Sequence, residues 1–299
     1  MFDEIRTNKI KSYILVFFFI ILIAGMGTAL GFVYNSPTLG ISMAVIFALI
    51  YTIMTFYRGD SMILKMSGAK PVTKAEYPHL YHTIEGLAIA AGVPTPKAYV
   101  INDSALNAFA TGRNPEHASV TVTTGLLNKM NRQELEGVIA HEMSHIKNYD
   151  IRMMMLTTVL IGVVTLLSDF LLRSFLWGSI GGRRDNREGG GQAAIIFIVI
   201  GLALAILAPL IGQMIRLAIS RKREFMADAS GASLTRYPEG LASALEKIRK
   251  DPDPLVDKAN KATAHLFIST PFRKTKGFTA KLFATHPPID ERIQKLRKM

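Results

Sequence analysis

The sequence predicts a mainly α-helical integral membrane protein with a small β-sheet and about four hydrophobic helices. Three observations carry this. Long apolar runs lack charge, a polar-ended helical segment carries two histidines at helix spacing, and short alternating apolar stretches precede it. Of 299 residues 49% are hydrophobic, and the formal net charge is +12.

No charged residue occurs from Ser12 to Tyr57, enough chain for two helical crossings. Asn35-Ser36-Pro37 breaks the run, so spans are expected near 13–34 and 39–57 within an N-terminal membrane hairpin, 1–57. The first span is too long for a signal peptide and lacks a small-residue cleavage site, so it is expected to be retained.

Residues 58–152 read as the first part of an aqueous domain. An amphipathic helix bearing His79 and His82 ends before Val93-Pro94-Thr95-Pro96, and a strand follows at Ala98–Ile101. Asn107-Ala108-Phe109-Ala110-Thr111 reads as a second short strand, and Ser119–Thr123 alternates after it. Asn131-Arg132-Gln133-Glu134 resembles a capping box opening a helix, which Lys147-Asn148-Tyr149-Asp150 closes.

That helix contains His141-Glu142-Met143-Ser144-His145. Histidines four apart project from one face, one turn above the other, so both imidazoles can reach one Zn²⁺ while Glu142 points at a water beside it. The plain alternative is a pair of packed helix histidines. Polar residues at both ends argue against a motif embedded in the bilayer.

Met153–Leu172 carries only Asp169, and Gln192–Ile215 carries no charge. They read as a second membrane hairpin (153–215) around a polar, glycine-rich loop at 181–191, or else as a buried hairpin of a soluble domain. Residues 216–299 form the second part of the aqueous domain, closed by an amphipathic helix from Pro288 to Leu296.

Arg6, Lys9 and Lys11 precede the first span, Arg58 and Lys65 follow the second, and the 35–38 linker is uncharged. This places both termini and the histidine helix on the cytoplasmic side of the membrane. Arg173, Arg183, Arg184 and Arg187 resist the scheme unless the second hairpin dips in without crossing. Cysteine is absent, which excludes a disulfide framework, a thiol nucleophile and a Cys-based zinc site. No nucleic-acid-binding module accompanies the basic charge, and an anionic leaflet is the simpler partner.

A catalytic zinc needs three protein ligands and one open position, so a third ligand is required. His79, His82, His117 and His265 read as solvated or packed. Glu224 follows the fourth apolar segment, with Asp228 one turn on; one carboxylate can ligate while the other orients an imidazole. Small residues at Ala227, Ala229, Ser230, Gly231 and Ala232 would let this helix approach the first. An exposed helix of alternating charge is the alternative.

The ordered set His141-Glu142-x-x-His145, Arg-x-x-Glu224-x-x-Ala-Asp228 and four apolar segments resembles the HtpX-type membrane zinc metalloproteases. These are gluzincin relatives of the eukaryotic CAAX prenyl endoprotease. Asn107–Gly112 and Thr285-His286-Pro287-Pro288 also match. The resemblance implies a zincin-like cytoplasmic metalloprotease domain holding one Zn²⁺ per chain, with Glu142 as the proton carrier. It also implies His286 as a donor to the oxyanion, and a strand bearing Asn107, Ala108 and Phe109 that pairs with extended substrate. The expected activity is cleavage of damaged or misfolded proteins, especially membrane proteins, in stress quality control. A prenyl-protein or peptide-processing protease, and a non-catalytic membrane protein with structural zinc, are the rivals.

Overall fold

Two long apolar helices lead into an aqueous domain built around one buried helix. The computed structural model of the chain describes residues 2–33, 36–160, 162–164, 221–251, 268 and 287–299. The 181–191 loop, the fourth apolar segment, His265 and His286 lie outside the described residues, as do residues 161 and 165–172 of the third apolar segment.

Helix α1 runs Phe2–Val33 and α2 runs Pro37–Met66. Both extend beyond the uncharged run, because charged residues at the ends of an apolar helix remain helix formers once they leave the hydrocarbon. Spans Ile5–Thr28 and Pro37–Met66 are long and apolar enough to cross a membrane. Their outward faces carry large apolar side chains such as Phe17, 61% exposed, and Ile50, 63% exposed. An apolar surface of that kind suits lipid, not water. The helices touch closely where side chains are smallest: a carbon added at Gly27 would run into Ala44 and the Gly40 carbonyl.

Among the described residues the sheet has four strands: β1 (Lys70–Pro71), β2 (Lys97–Ile101), β3 (Ala108–Gly112) and β4 (Ala118–Thr123), in the order β1-β2-β4-β3. β2 and β4 run parallel with Ala98 beside Val120; β3 is antiparallel to β4 with Ala110 beside Val120. Helix α3 (Pro78–Ala91) ends at Gly92, whose φ of +69° supplies the left-handed cap that precedes Val93-Pro94. Short α4 (Thr124–Lys129) leads to α5 (Arg132–Lys147), the histidine helix.

The anticipated capping box is present: Glu134 N donates to Asn131 Oδ1 at 2.9 Å, and Asn131 N donates to Glu134 Oε2 at 2.8 Å. Glu134 also accepts from Lys247 Nζ at 2.6 Å and Ser243 Oγ at 2.7 Å, both on α7 (Pro238–Lys250). Burial disfavours the Glu134 anion, but these donors outweigh it and hold the carboxyl below its usual range. From Glu134 to Ile146 nearly every residue of α5 is buried, more than its apolar periodicity suggests. It packs against α3, α7, β3 and α6 (Arg221–Thr235) at once. Chain from either side of the 153–215 segment therefore meets in one core.

A second buried cluster joins the two long apolar helices to the sheet and to the helical residues after α5. Leu15 and Phe19 of α1 and Ile63 and Leu64 of α2 share it with Ile101, Phe109 and the helical residues Met153, Met155 and Leu156. Helix α8 (Ile289–Leu296) closes the described chain by seating Ile293 and Leu296 in the aqueous core.

Candidate metal centre

Four-residue spacing on α5 sets the two imidazoles edge to face, with ring centroids 4.8 Å apart and planes at 88°. Their Nε2 atoms face each other at 3.2 Å. Glu224, on α6, closes the group: its Oε2 lies 3.7 Å from His141 Nε2 and its Oε1 lies 3.6 Å from His145 Nε2. One ligand atom from each of His141, His145 and Glu224 falls within 4.8 Å of the others, and all three residues are buried.

The outward nitrogen of each ring explains why the inner ones converge. His141 Nδ1 is 2.9 Å from Asp228 Oδ1, and His145 Nδ1 is 2.9 Å from Asp150 Oδ2. An imidazole donating through Nδ1 to a carboxylate presents its lone pair at Nε2. Two such lone pairs 3.2 Å apart repel unless a metal ion or a proton lies between them. Zinc–nitrogen bonds of about 2.0–2.1 Å in tetrahedral geometry place neighbouring ligand atoms about 3.3 Å apart, so the donor set fits that ion. The carboxylate surplus agrees: Glu142, Glu224, Asp150 and Asp228 are all buried around the two rings. Burial opposes a charged His145, but the Asp150 hydrogen bond and the Glu224, Asp150 and Glu142 charges outweigh it and raise the group to about 9 when no metal is bound.

Close approach of α6 is what brings Glu224 to the histidines. A carbon added at Gly231 would lie 3.0 Å from the His141 nitrogen and 3.2 Å from its Cα. The stretch of small residues around Gly231 therefore does what their sizes suggest. Glu142 is buried on α5 between the two histidines, 3% exposed.

Three residues with no assigned role in the sequence reading complete the surroundings. Arg292 on α8 is wholly buried; its Nε and Nη2 donate to Asp228 at 2.9 and 2.7 Å, and Nη1 lies 3.9 Å from Glu224 Oε2. Burial disfavours the Asp228 carboxylate, yet Arg292 and His141 hold it down at about 2. A signal for Arg292 existed: three residues after Ile289 and four before Leu296, it shares the buried face of α8, where a cation must be paired. Asp150 gave no such signal. It turns back onto His145 because Tyr149 adopts φ +61°, a left-handed conformation rare for tyrosine. Asn8, at the start of α1, is the third; it donates to Asp150 Oδ1 at 2.6 Å.

Of the other expected residues, Ala108 and Phe109 are buried on β3, which packs on α5. Asn107 is buried just before β3, and its Oδ1 accepts from Ala108 N at 3.1 Å. The Ala108 carbonyl accepts from Ile268 N at 3.0 Å, so the chain itself occupies that point of the strand edge. His79, His82 and His117 are exposed, as read from the sequence.

Residues 74–299 match the family model for Peptidase family M48. The chain is 45% identical over 298 residues to the "Protease HtpX homolog" of Dictyoglomus turgidum, covering 100% of this chain and 94% of that one. It is 44% identical over 300 residues to the Streptococcus gordonii protein of that description, covering 100% of both. Its fold is similar to the crystal structure of S. mikatae Ste24p, with TM-score 0.51, 21% identity and coverage of 99% of this chain and 66% of that one.

Proposed function

This chain belongs to peptidase family M48 and is a membrane metalloprotease, and from that premise we propose that His141, His145 and Glu224 hold one zinc ion and that Glu142 moves the proton in peptide hydrolysis. The observation that carries the assignment is the pair of carboxylate-held imidazoles with their Nε2 atoms 3.2 Å apart and Glu224 closing the triangle. Bound there, zinc would supply Lewis-acid polarisation of a peptide carbonyl and would lower the pKa of a bound water to about 7.

The chain's own residues do the rest. Glu142, one residue past one ligand and three before the other, is placed to accept the proton of the attacking water and return it to the leaving amine. Asp228 and Asp150 keep both rings in the Nδ1–H tautomer throughout. Asn107, Ala108 and Phe109 are assigned to substrate pairing on their motif and their place at β3 beside α5; an extended substrate there would replace the contact that Ile268 makes with Ala108. His286 is assigned as the donor to the oxyanion on its motif, Thr285-His286-Pro287-Pro288.

We take the substrates to be damaged or misassembled membrane proteins, cleaved on the cytoplasmic face in stress quality control. The HtpX name of the relatives and the apolar faces of α1 and α2 support this. The basic residues Arg6, Lys9 and Lys11 lie in the first turns of α1, ahead of the uncharged run and at the end of that helix that contacts the close of the histidine helix, which supports a cytoplasmic site. The second hairpin, 153–215, is proposed to return the chain to that side between the two parts of the protease domain.

The test is casein cleavage by the purified full-length chain with and without chelator. Cleavage should vanish on chelation and return with Zn²⁺. Glu142→Gln should retain stoichiometric zinc and lose cleavage by about 10²–10⁴-fold. A fully active Glu142→Gln protein would end that assignment.

A further inference from the structure

We propose that Asn8, on the first membrane helix, is a positioning residue for the metal centre, acting on His145 through Asp150. The inference rests on the metal-centre reading above and extends it to a part of the chain that supplies no ligand.

Asn8 is 2% exposed, an unusual burial for a carboxamide at the start of an apolar helix. Its Nδ2 donates to Asp150 Oδ1 at 2.6 Å and to the Asn148 carbonyl at 2.9 Å. Asp150 uses its other oxygen, Oδ2, to accept from His145 Nδ1 at 2.9 Å. A continuous chain of hydrogen bonds therefore runs from α1 to the imidazole that faces the metal. Arg223 adds a longer contact, with Nη1 3.3 Å from Asn8 Oδ1 and 3.4 Å from Asp150 Oδ1.

The backbone between His145 and Asp150 needs this support. Tyr149 sits at φ +61°, where a bulky residue is strained, and strained backbone persists only where its surroundings hold it. Helix α1 grips that turn on both sides of the strain, through Asn8 at the Asn148 carbonyl and at Asp150, and at Tyr149 itself through Lys9 Nζ over the ring at 4.7 Å. Asn8 thus fixes both where Asp150 stands and which of its oxygens meets His145. The consequence is thermodynamic coupling: seating of α1 favours metal binding, and bound metal favours the seated helix by the same factor.

The experiment uses the full-length chain in detergent micelles, with zinc affinity from competition against a fluorescent chelator and the visible spectrum of the cobalt-loaded protein. Removing a direct partner of a ligating histidine weakens metal binding about 10- to 100-fold. Asn8→Ala, one bond further out, should weaken zinc about tenfold and alter the cobalt bands. Asn8→Asp keeps the shape and sets a carboxylate against Asp150 Oδ1, so it should weaken zinc at least as much. Ser12→Ala is the control: Ser12 is equally buried on α1, but its hydroxyl meets the Asn8 carbonyl and Met153, not Asp150. It should leave zinc affinity unchanged.

The deciding measurement is the double mutant. If Asn8 works through Asp150, adding Asn8→Ala to Asp150→Ala should change zinc affinity no further, whereas a general packing defect would persist. A parent chain that holds no zinc overturns the metal-centre reading and this inference together. A parent that holds zinc, with Asn8→Ala and Asn8→Asp within twofold of it, overturns the role of Asn8 alone. Additive losses in the double mutant overturn it too.

Discussion

His141 and His145 meet the metal position in the same way, yet they are held from opposite quarters of the molecule. Behind His141 stands Asp228, from the helix that also carries Glu224, and behind Asp228 stands Arg292 with two short hydrogen bonds. Behind His145 stands Asp150, at the end of a strained turn, and behind Asp150 stand a neutral amide from the membrane helix and a longer arginine contact. The first arrangement is a buried ion pair closed within the aqueous domain. The second is a hydrogen-bonded relay that ends in the membrane anchor. Equivalent ligands therefore need not have equivalent supports: one imidazole is fixed by charge and the other by docking.

The sharpest way to break the comparison is Asp228→Asn. It removes the charge that pairs Arg292, and an unpaired buried guanidinium costs about 3–5 kcal/mol. The variant should therefore lose both zinc affinity and chemical-denaturation stability. A stability equal to the parent's would show that Arg292 is compensated elsewhere.

Acidity and alkalinity should then separate the two supports in metal-free protein. Asp228 is held at about 2 against an ordinary 3.8, so its contribution is complete above about 4 and lost as pH falls toward 2. His145 is raised from 6.5 to about 9, so its contribution is complete below about 6.5 and lost as pH rises to about 9. From the size of these shifts the acid arm is on the order of 2 kcal/mol and the alkaline arm on the order of 3 kcal/mol. Stability measured against pH should fall at both ends, and the alkaline fall should shrink in Asp150→Asn while the acid fall remains unchanged. The reverse pattern would dissolve the distinction.

Gly231→Ala is the mildest probe, confined to the His141 side. The added methyl sits 3.0–3.2 Å from the α5 backbone and needs a shift of only a few tenths of an ångström, so the cost should be about 1 kcal/mol, the low end for overpacking. Thermal unfolding would register it. Because Glu224 rides on the same helix, zinc affinity should weaken while the Asn8 bonds to Asp150 and to the Asn148 carbonyl stay intact.

Much of this was legible before any coordinates. The capping box at Asn131 and Glu134, the strands, the amphipathic closing helix and the two spans follow from local chemistry, since capping, period and apolar length are properties of neighbouring residues. Glu224 and Asp228 were readable as a pair because helix spacing puts them on one face. Asp150 was hidden because its role depends on a positive φ at Tyr149, which no tyrosine advertises. Asn8 was hidden because its partners lie 140 and 142 positions away.

Sequence alone determined which donor atoms exist and which of them share a helix face: two imidazoles one turn apart, a glutamate between them, a carboxylate pair downstream and an apolar anchor upstream. Only the tertiary structure decided which carboxylate faces which nitrogen, and that the membrane helix stands behind one of them. The reason is physical. Spacing along a helix is set by hydrogen bonds between near neighbours, whereas the pairing of buried charges is set by how distant segments pack, and no local interaction encodes that.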